Sequence, residues 1–268
     1  MGSGEEASVG DIAPDHLTPR VVGLLGASPL AWSTISGTLY SLYDEDVLHP
    51  DAVGRNTDDG PELGRLEGSY RFWATASPWQ LRLETIREII PKGRDDAMMP
   101  DVLITDRWTW RARTGRYASG GQWPPDKIIT DRENQRWVVY GDEIMRDPGH
   151  HYSSHGLENL DLLLNLAPLL RAFHFVDATP VEHDARAGIQ VQAVPGERDD
   201  FHRWAAGLVV IGADRYVFTV DSTRGIVLHV GITIRGQVGR LHTLSDLHFD
   251  DAIGQELFTQ SALEAGLG

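Results

Sequence analysis

The chain has 268 residues, 41% of them hydrophobic and 24% charged, which is enough for one large β-rich domain with a sizeable core. Its 39 acidic against 24 basic residues give a formal net charge of −15. That argues against a nucleic-acid or anionic-membrane surface, because phosphate binding needs a basic stripe. The absence of cysteine excludes a disulfide framework, a thiolate zinc site, a cysteine nucleophile and a lipidated cysteine.

Residues 1–16 are rich in Gly, Ser and Glu, poor in apolar side chains, and read as a loosely attached tail. They lack the basic and apolar regions of a signal peptide, and no window reaches the length of a membrane span. The expected location is cytoplasmic, or exported if a leader has been removed. Residues 17–260 read as a single domain and 261–268 as a short C-terminal tail.

Thr18-Pro19 fits a helix start, with a short helix expected from Arg20 to about Leu25. Trp32 to Tyr43 reads as the first long strand, and the Gly/Asp/Pro-rich stretch from Asp44 to Arg65 as a long connection. Glu67 to Ala76 and Trp79 to Ile90 form the next strand pair around Ser77-Pro78. Asp101 to Thr105 with Arg107 to Arg113, and Ile128 to Thr130 with Arg136 to Tyr140, read as two further hairpins.

The clearest helical region is Leu157 to Phe173, where leucines surround nearly the whole circumference. A helix apolar all round is buried or plugs something, and Pro168 divides this one into two short helices. Strands return at Phe175 to Pro180, Gly188 to Val194 and Leu208 to Ile211. A three-stranded antiparallel meander from Asp214 to Phe249 follows, turning at Asp221 to Gly225 and at Gly236-Gln237. In it Tyr216, Phe218 and Val220 share one face, as do Leu228, Val230 and Ile232. In the last strand Leu241, Thr243, Ser245, Leu247 and Phe249 alternate with His242, Leu244, Asp246 and His248. Gly254 to Phe258 reads as a last helical turn. The pattern is mainly β (α+β): a strongly curved antiparallel sheet of about ten strands, with helices as a lid on the concave face.

The order of motifs resembles a known family. It runs from Arg107-Trp108-Thr109-Trp110 through Leu162-Leu163-Leu164-Asn165-Leu166-Ala167-Pro168-Leu169-Leu170 to the strand ending at Val194-Pro195. It continues with Asp214-Arg215-Tyr216-x-Phe218-x-Val220-Asp221 and closes on Leu247-x-Phe249-Asp250-Asp251 with Leu257-Phe258 just beyond. Over about residues 30–260 this is similar to the outer-membrane lipoprotein carrier (LolA-like) superfamily, which includes the N-terminal domain of RseB-type regulators. It looks most like the branch common in high-GC Gram-positive bacteria. The resemblance implies a single unclosed β-barrel of ten or eleven strands, whose apolar concavity holds acyl chains or a similar hydrophobic ligand.

The expected function is therefore binding of a hydrophobic small molecule, lipid or acyl chain, with no cofactor. The wall residues expected from the sequence are Trp73, Trp110, Trp137, Leu163, Leu166, Leu170, Phe218, Leu228 and Ile232. Two readings from other classes stand beside this one. In the first, the same cavity is an enzyme's reaction chamber that cyclises or rearranges a hydrophobic natural-product intermediate, with His229 or Asp246 moving protons. In the second, the chain is an RseB-like regulatory module with a protein partner. His150, His151 and His155 stand at a spacing that imidazole metal ligands use, but no carboxylate falls inside the run and no metal site is assigned. The adjacent carboxylates Asp58-Asp59, Asp95-Asp96, Asp199-Asp200 and Asp250-Asp251 read as loop residues diverging into solvent, so no catalytic residue is assigned.

Overall fold

A computed structural model describes residues 17–48, 64–77, 79–89, 101–104, 109–112, 127–130, 136–140, 143–146, 157–196, 208–210 and 212–258. The chain opens with α1 (Leu17–Ala27), a 3-10 turn (Ser28–Leu30), β1 (Thr34–Asp44) and the one-turn α2 (Glu45–Leu48). The strands β2 (Arg65–Ala76), β3 (Trp79–Ile89), β4 (Asp101–Ile104), β5 (Thr109–Ala112), β6 (Lys127–Thr130), β7 (Arg136–Tyr140) and β8 (Glu143–Arg146) follow. Next come α3 (Leu157–Leu164) and a 3-10 segment (Ala167–Ala172). The remainder is β9 (Phe173–His183), β10 (Arg186–Pro195), β11 (Arg215–Asp221), β12 (Val227–Ile234), β13 (Gln237–Phe249) and a 3-10 turn (Gln255–Phe258).

Ten strands form one antiparallel sheet in the order β5-β4-β3-β2-β1-β13-β12-β11-β10-β9, and β6-β7-β8 form a second, three-stranded sheet. The large sheet does not close: β5 and β9 are its two edges. This is the unclosed half-barrel that the resemblance implies. Sequence neighbours pair in order except at one place, where β1 lies against β13 and joins the two ends of the domain.

Period-two alternation sets one apolar face across the sheet from β3 to β9. Leu39 stands opposite Tyr70 on one side and Leu244 on the other; Val230 opposes Phe218, which opposes Val191. All of these side chains are buried. α1 presents Leu17, Val21 and Leu25, four residues apart and all buried, to the same core. It begins three residues before the expected start, with Pro19 in its first turn, where a missing N–H costs nothing.

Several expectations are corrected. The 208–210 stretch, expected as a strand, is a turn held from inside: the Val210 N–H donates to the Tyr216 hydroxyl at 3.0 Å. The segment after Pro168 is 3-10 rather than α-helical, and β8 was not anticipated. The strict alternation expected in β13 is broken by a bulge. Ser36 pairs with His248 but Thr38 with Ser245, so one extra residue enters β13, and Asp246 takes a φ of 52°. The extra residue returns Leu247 and Phe249 to the face of Leu244, where both pack against the core. Gly37 makes room for this, since a Cβ there would lie 2.7 Å from Leu247 Cδ2.

The lower end of the half-barrel is tied by two devices. The tip of the β9–β10 hairpin reaches across to β13 below the point where β12 leaves it. There the Asp184 carboxylate accepts the Asp246 N–H at 3.1 Å, and His183 Nε2 lies 3.4 Å from the Leu244 carbonyl. The second device centres on Asp250. Its carboxylate accepts the Ser33 N–H at 2.8 Å and the Ser33 hydroxyl at 2.9 Å, and pairs with Arg224 at 2.7 Å. Arg224 also donates to the Ala31 carbonyl and lies over the Phe249 ring at 4.6 Å, with Arg186 over the same ring at 4.7 Å. Arg224 is delivered by the β11–β12 turn. There Asp221 Oδ1 accepts the N–H groups of Thr223 and Arg224, and Gly225, at φ +69°, lets the turn abut the Leu24 carbonyl of α1.

The Ser33 hydrogen bonds, followed by Arg224, hold the Asp250 carboxyl at about 2 against an ordinary 3.8. A depressed carboxyl contributes stability that is full above its unfolded value and is lost as pH falls through the folded one. Asp250→Asn should therefore lower Tm at neutral pH, and the gap to the wild type should close between about pH 4 and about pH 2. A Tm difference unchanged across that range would show that the charge of Asp250 does not matter.

Candidate functional site

The concave face carries the only continuous apolar wall among the described residues, and two segments lie on it. α3 buries Leu160, Leu163 and Leu164, and the joint and 3-10 segment after it bury Leu166, Leu169 and Ala172. Leu162 and Leu170 remain half-buried. Under this segment sits an aromatic cluster. Phe173 meets Tyr216 and Phe218 edge-on at 4.8 and 5.2 Å, while Tyr216 and Phe218 stack at 6.0 Å.

One end of this face is polar. Ser41 Oγ and His242 Nδ1 lie 2.9 Å apart, both side chains buried. The Tyr43 ring meets the His242 ring edge-on at 5.4 Å, and the Arg240 guanidinium lies over Tyr43 at 4.7 Å. Register places these side chains together: Tyr43 pairs with Arg240, Ser41 with His242, and Arg240 with Ile232. Burial pulls the Arg240 guanidinium below its ordinary value, and the nearby Tyr43 and Tyr216 hydroxyls oppose that fall. Burial pushes the Tyr216 phenol up.

The expected wall residues divide into three groups. Leu163, Leu166, Phe218, Leu228 and Ile232 are fully buried in one core, and Leu170 packs against it half-buried. Trp110 lies on the edge strand β5 opposite Leu103, whereas Trp137 lies in the separate three-stranded sheet opposite Ile129 and Arg146. Trp73 does not belong to the concave wall. It alternates with Phe72, so it stands on the other face of β2, packed with Ile253, Leu257 and Phe258 and flanked by the guanidiniums of Arg71 and Arg82 at 6.0 Å.

The residues suggested as proton carriers are also off this face. His229 Nδ1 is 2.9 Å from the Thr243 hydroxyl, and its ring is 6.0 Å from that of His183. Asp246 is exposed at the bulge. Of the paired carboxylates, Asp250 is the tie described above and the Asp251 carbonyl accepts the Thr34 hydroxyl. Trp108, His150, His151, His155, Asp58-Asp59, Asp95-Asp96 and Asp199-Asp200 lie outside the described residues. Among the described residues no group of three His, Asp or Glu is placed to hold a metal, and no helix is long and apolar enough to cross a membrane.

Sequence reasoning missed Ser41, Tyr43, Arg240 and His242 as a group. Arg240 and His242 alternate with Leu241 and Thr243 and read as an outward-facing edge of the meander. The available signal was Leu244, whose parity they share.

No protein-family model matches the chain, and no curated protein does. Solved structures are similar to it. MucB is 9% identical, with 90% of this chain and 62% of that chain covered and a TM-score of 0.49. The Pseudomonas aeruginosa MucA/MucB complex is 10% identical, with 92% and 62% covered and a TM-score of 0.46. A LolA superfamily protein from Nitrosomonas europaea is 10% identical, with 92% and 99% covered and a TM-score of 0.31. The chain spans about three fifths of the length of the MucB chains it matches.

Two measurements test the assignment of faces. Phe218→Ala should cost about 3–5 kcal/mol in urea unfolding, as a buried aromatic at the centre of the core; a loss below about 1 kcal/mol would place it outside. Burial, helped by the neighbouring His183, lowers the His229 imidazole below its ordinary 6.5. Its stabilisation is complete above that value and is lost as pH falls through the folded one. His229→Gln should therefore flatten the fall in Tm on the acid side of pH 6.5, and an unchanged pH profile would show His229 to be freely solvated.

Proposed function

We propose that this chain is a binding protein whose concave face receives the apolar part of a hydrophobic ligand, an acyl chain or similar small molecule, beneath the segment from Leu157 to Ala172. The observation that carries this reading is the way that segment is attached. Its buried hydrophobic side chains among the described residues are Leu160, Leu163, Leu164, Leu166, Leu169 and Ala172, so side-chain burial holds it down. Its backbone is interrupted at the joint 165–166, and Pro168 supplies no N–H to bridge it. At the same joint Asn165 Oδ1 is sealed from solvent, and no described residue donates a hydrogen bond to it. A buried amide oxygen left unpaired costs about 1–3 kcal/mol. Lifting the segment would return that oxygen to water, so the closed position carries a penalty that opening relieves. A wholly structural plug gains nothing from such a residue, whereas a cover that must open does.

Binding is tested by titrating the full chain with a fluorescent fatty acid and by native mass spectrometry with organic extraction. Saturable uptake displaced by unlabelled fatty acid, or a co-purified acyl compound, is the expected result. The absence of both would remove the reading. Movement of the cover is tested by Asn165→Leu, a near-isosteric change that removes the unpaired oxygen. It should raise stability by about 1–3 kcal/mol and slow both uptake and release of the probe. Greater stability with unchanged exchange rates would mean that the segment does not open.

A further inference from the structure

We infer that the tip of the β9–β10 hairpin is an acid-released clasp: it sits on an unpaired edge of β13 at neutral pH, and leaves that edge when His183 on the tip and His229 on β12 both carry a proton. The inference stands apart from the proposed function and needs no ligand.

The edge comes from the sheet. The ladder of β12 on β13 ends at the pair His229 and Thr243, whereas β13 runs on to Phe249 and stays paired with β1 as far as that residue. Among the described residues, 244–249 therefore have a strand on one side only. The hairpin tip meets this edge with side chains in place of a strand. The Asp184 carboxylate accepts the Asp246 N–H at 3.1 Å, and His183 Nε2 stands 3.4 Å from the Leu244 carbonyl.

The hairpin is shaped to reach that far. The ladder of β10 on β11 ends at Gly188, so residues 182–187 project beyond it. A bulge at Asp177 and Ala178 bends β9, and a Cβ on Gly188 would lie 3.1 Å from Thr219 Cγ2 and 3.5 Å from Val181 Cγ2. At the tip Asp184 and Ala185, at φ 50° and 57°, form a two-residue turn between the paired His183 and Arg186. Neither is glycine, so the turn stands against the ordinary steric preference and relies on the contacts it makes.

Seating the tip brings two imidazoles together, with ring centres 6.0 Å apart. The side chains facing His229 from β11 and β13 are Thr219 and Thr243, neither of which titrates, and its Nδ1 is 2.9 Å from the Thr243 hydroxyl. The charged groups nearby are engaged elsewhere. Asp184 holds the Asp246 N–H, the Asp246 carboxylate accepts the Thr38 hydroxyl at 3.4 Å, and Arg186 pairs with Asp221 and lies over Phe249. Glu182 alternates with His183 and stands on the other face of β9. The bond to the Leu244 carbonyl needs only an Nε2–H, which neutral and charged imidazoles both carry, so a proton on His183 alone leaves the tip in place. A second proton, on His229, sets two cations side by side in a half-buried site. Burial first, and His183 second, hold His229 below its ordinary 6.5. Undocking removes the His183 contribution, so the undocked state takes up the proton more readily. Docking is therefore full above the undocked value and is lost as pH falls through the docked one.

The reporter is hydrogen exchange of the Asp246 amide, followed by NMR on the full chain at pH 7.5 and 5.5 and corrected for the intrinsic pH dependence of exchange. Asp184→Ala should unprotect this amide at both pH values; undiminished protection there would overturn the seating of the tip. In the wild type its protection should fall about fivefold or more between pH 7.5 and 5.5, the lower end of couplings between linked sites. The core amides of Phe218 and Val230 should keep theirs. His229→Gln and His183→Gln should each abolish the fall, and Asp184→Asn, which keeps an acceptor without a charge, should retain it. Equal protection at the two pH values would overturn the inference, and so would a fall shared by the core amides. A fall that survives both histidine variants, or is lost in Asp184→Asn, would overturn it by assigning the response to carboxylates. If one histidine variant does not fold, the other still decides the matter.

Discussion

The pairing of β1 with β13 is the constraint on which the rest of this fold depends. It joins residues about two hundred positions apart, and every other pairing of the large sheet is between strands that follow one another in the chain. Local hairpins on either side could form without it, but each would expose one apolar face and an unpaired edge. With Leu39 set against Leu244, the β2–β5 wing and the β9–β12 wing become one surface, long enough to curve and to be covered from one side. Loop closure over that distance is entropically costly and is offset only when the wings bury their leucines and aromatics together. The half-barrel is therefore a single cooperative unit in its core.

The bulge at Asp246 shows how the sheet reconciles that pairing with its lower end. A regular β13 would turn Leu247 and Phe249 away from the core and bring the neighbouring polar residues in. One extra residue corrects the parity, and Phe249 then becomes the platform beneath Arg186 and Arg224. The same bulge leaves the Asp246 N–H without a ladder partner, and the β9–β10 tip supplies a carboxylate for it. Thus the irregularity in one strand determines where two others are fastened.

Much of this was legible in the sequence. The strands of the meander, the β2–β3 hairpin, the break at Pro168 and the turn at Gly225 follow from alternation and from residues with a single backbone role. Faces were legible where apolar residues alternated cleanly, as at Tyr216, Phe218 and Val220. They were not legible where tertiary packing decides. Trp73 is as apolar as Phe72, and only the C-terminal Leu257 and Phe258 folding over the outer surface explain why both can be housed on opposite sides of one strand. The bulge has no compositional signature, since Ser245-Asp246 is an unremarkable pair. Leu208 to Ile211 reads as a strand by propensity, but the Tyr216 hydroxyl, six residues on, captures the Val210 N–H and holds the described part, 208–210, out of the sheet.

The polar group formed by Ser41, Tyr43, Arg240 and His242 is a different kind of illegibility. Local rules place charged and hydrogen-bonding residues of an antiparallel strand outward, and here they face inward on two adjacent strands. Such reversals are costly: burying a guanidinium and an imidazole beside leucines opposes folding unless each is engaged. Asn165 breaks the same rule on the cover segment, with its amide oxygen sealed. Both departures concern the same concave surface, one at its wall and one at its cover, while the opposite face of the sheet keeps its arginines outward or beside acids, as with Arg65 and Glu67. Sequences depart from local consistency chiefly where binding or catalysis demands it. Buried polar groups set among leucines on this apolar surface are a physical reason to look for the function of this chain there.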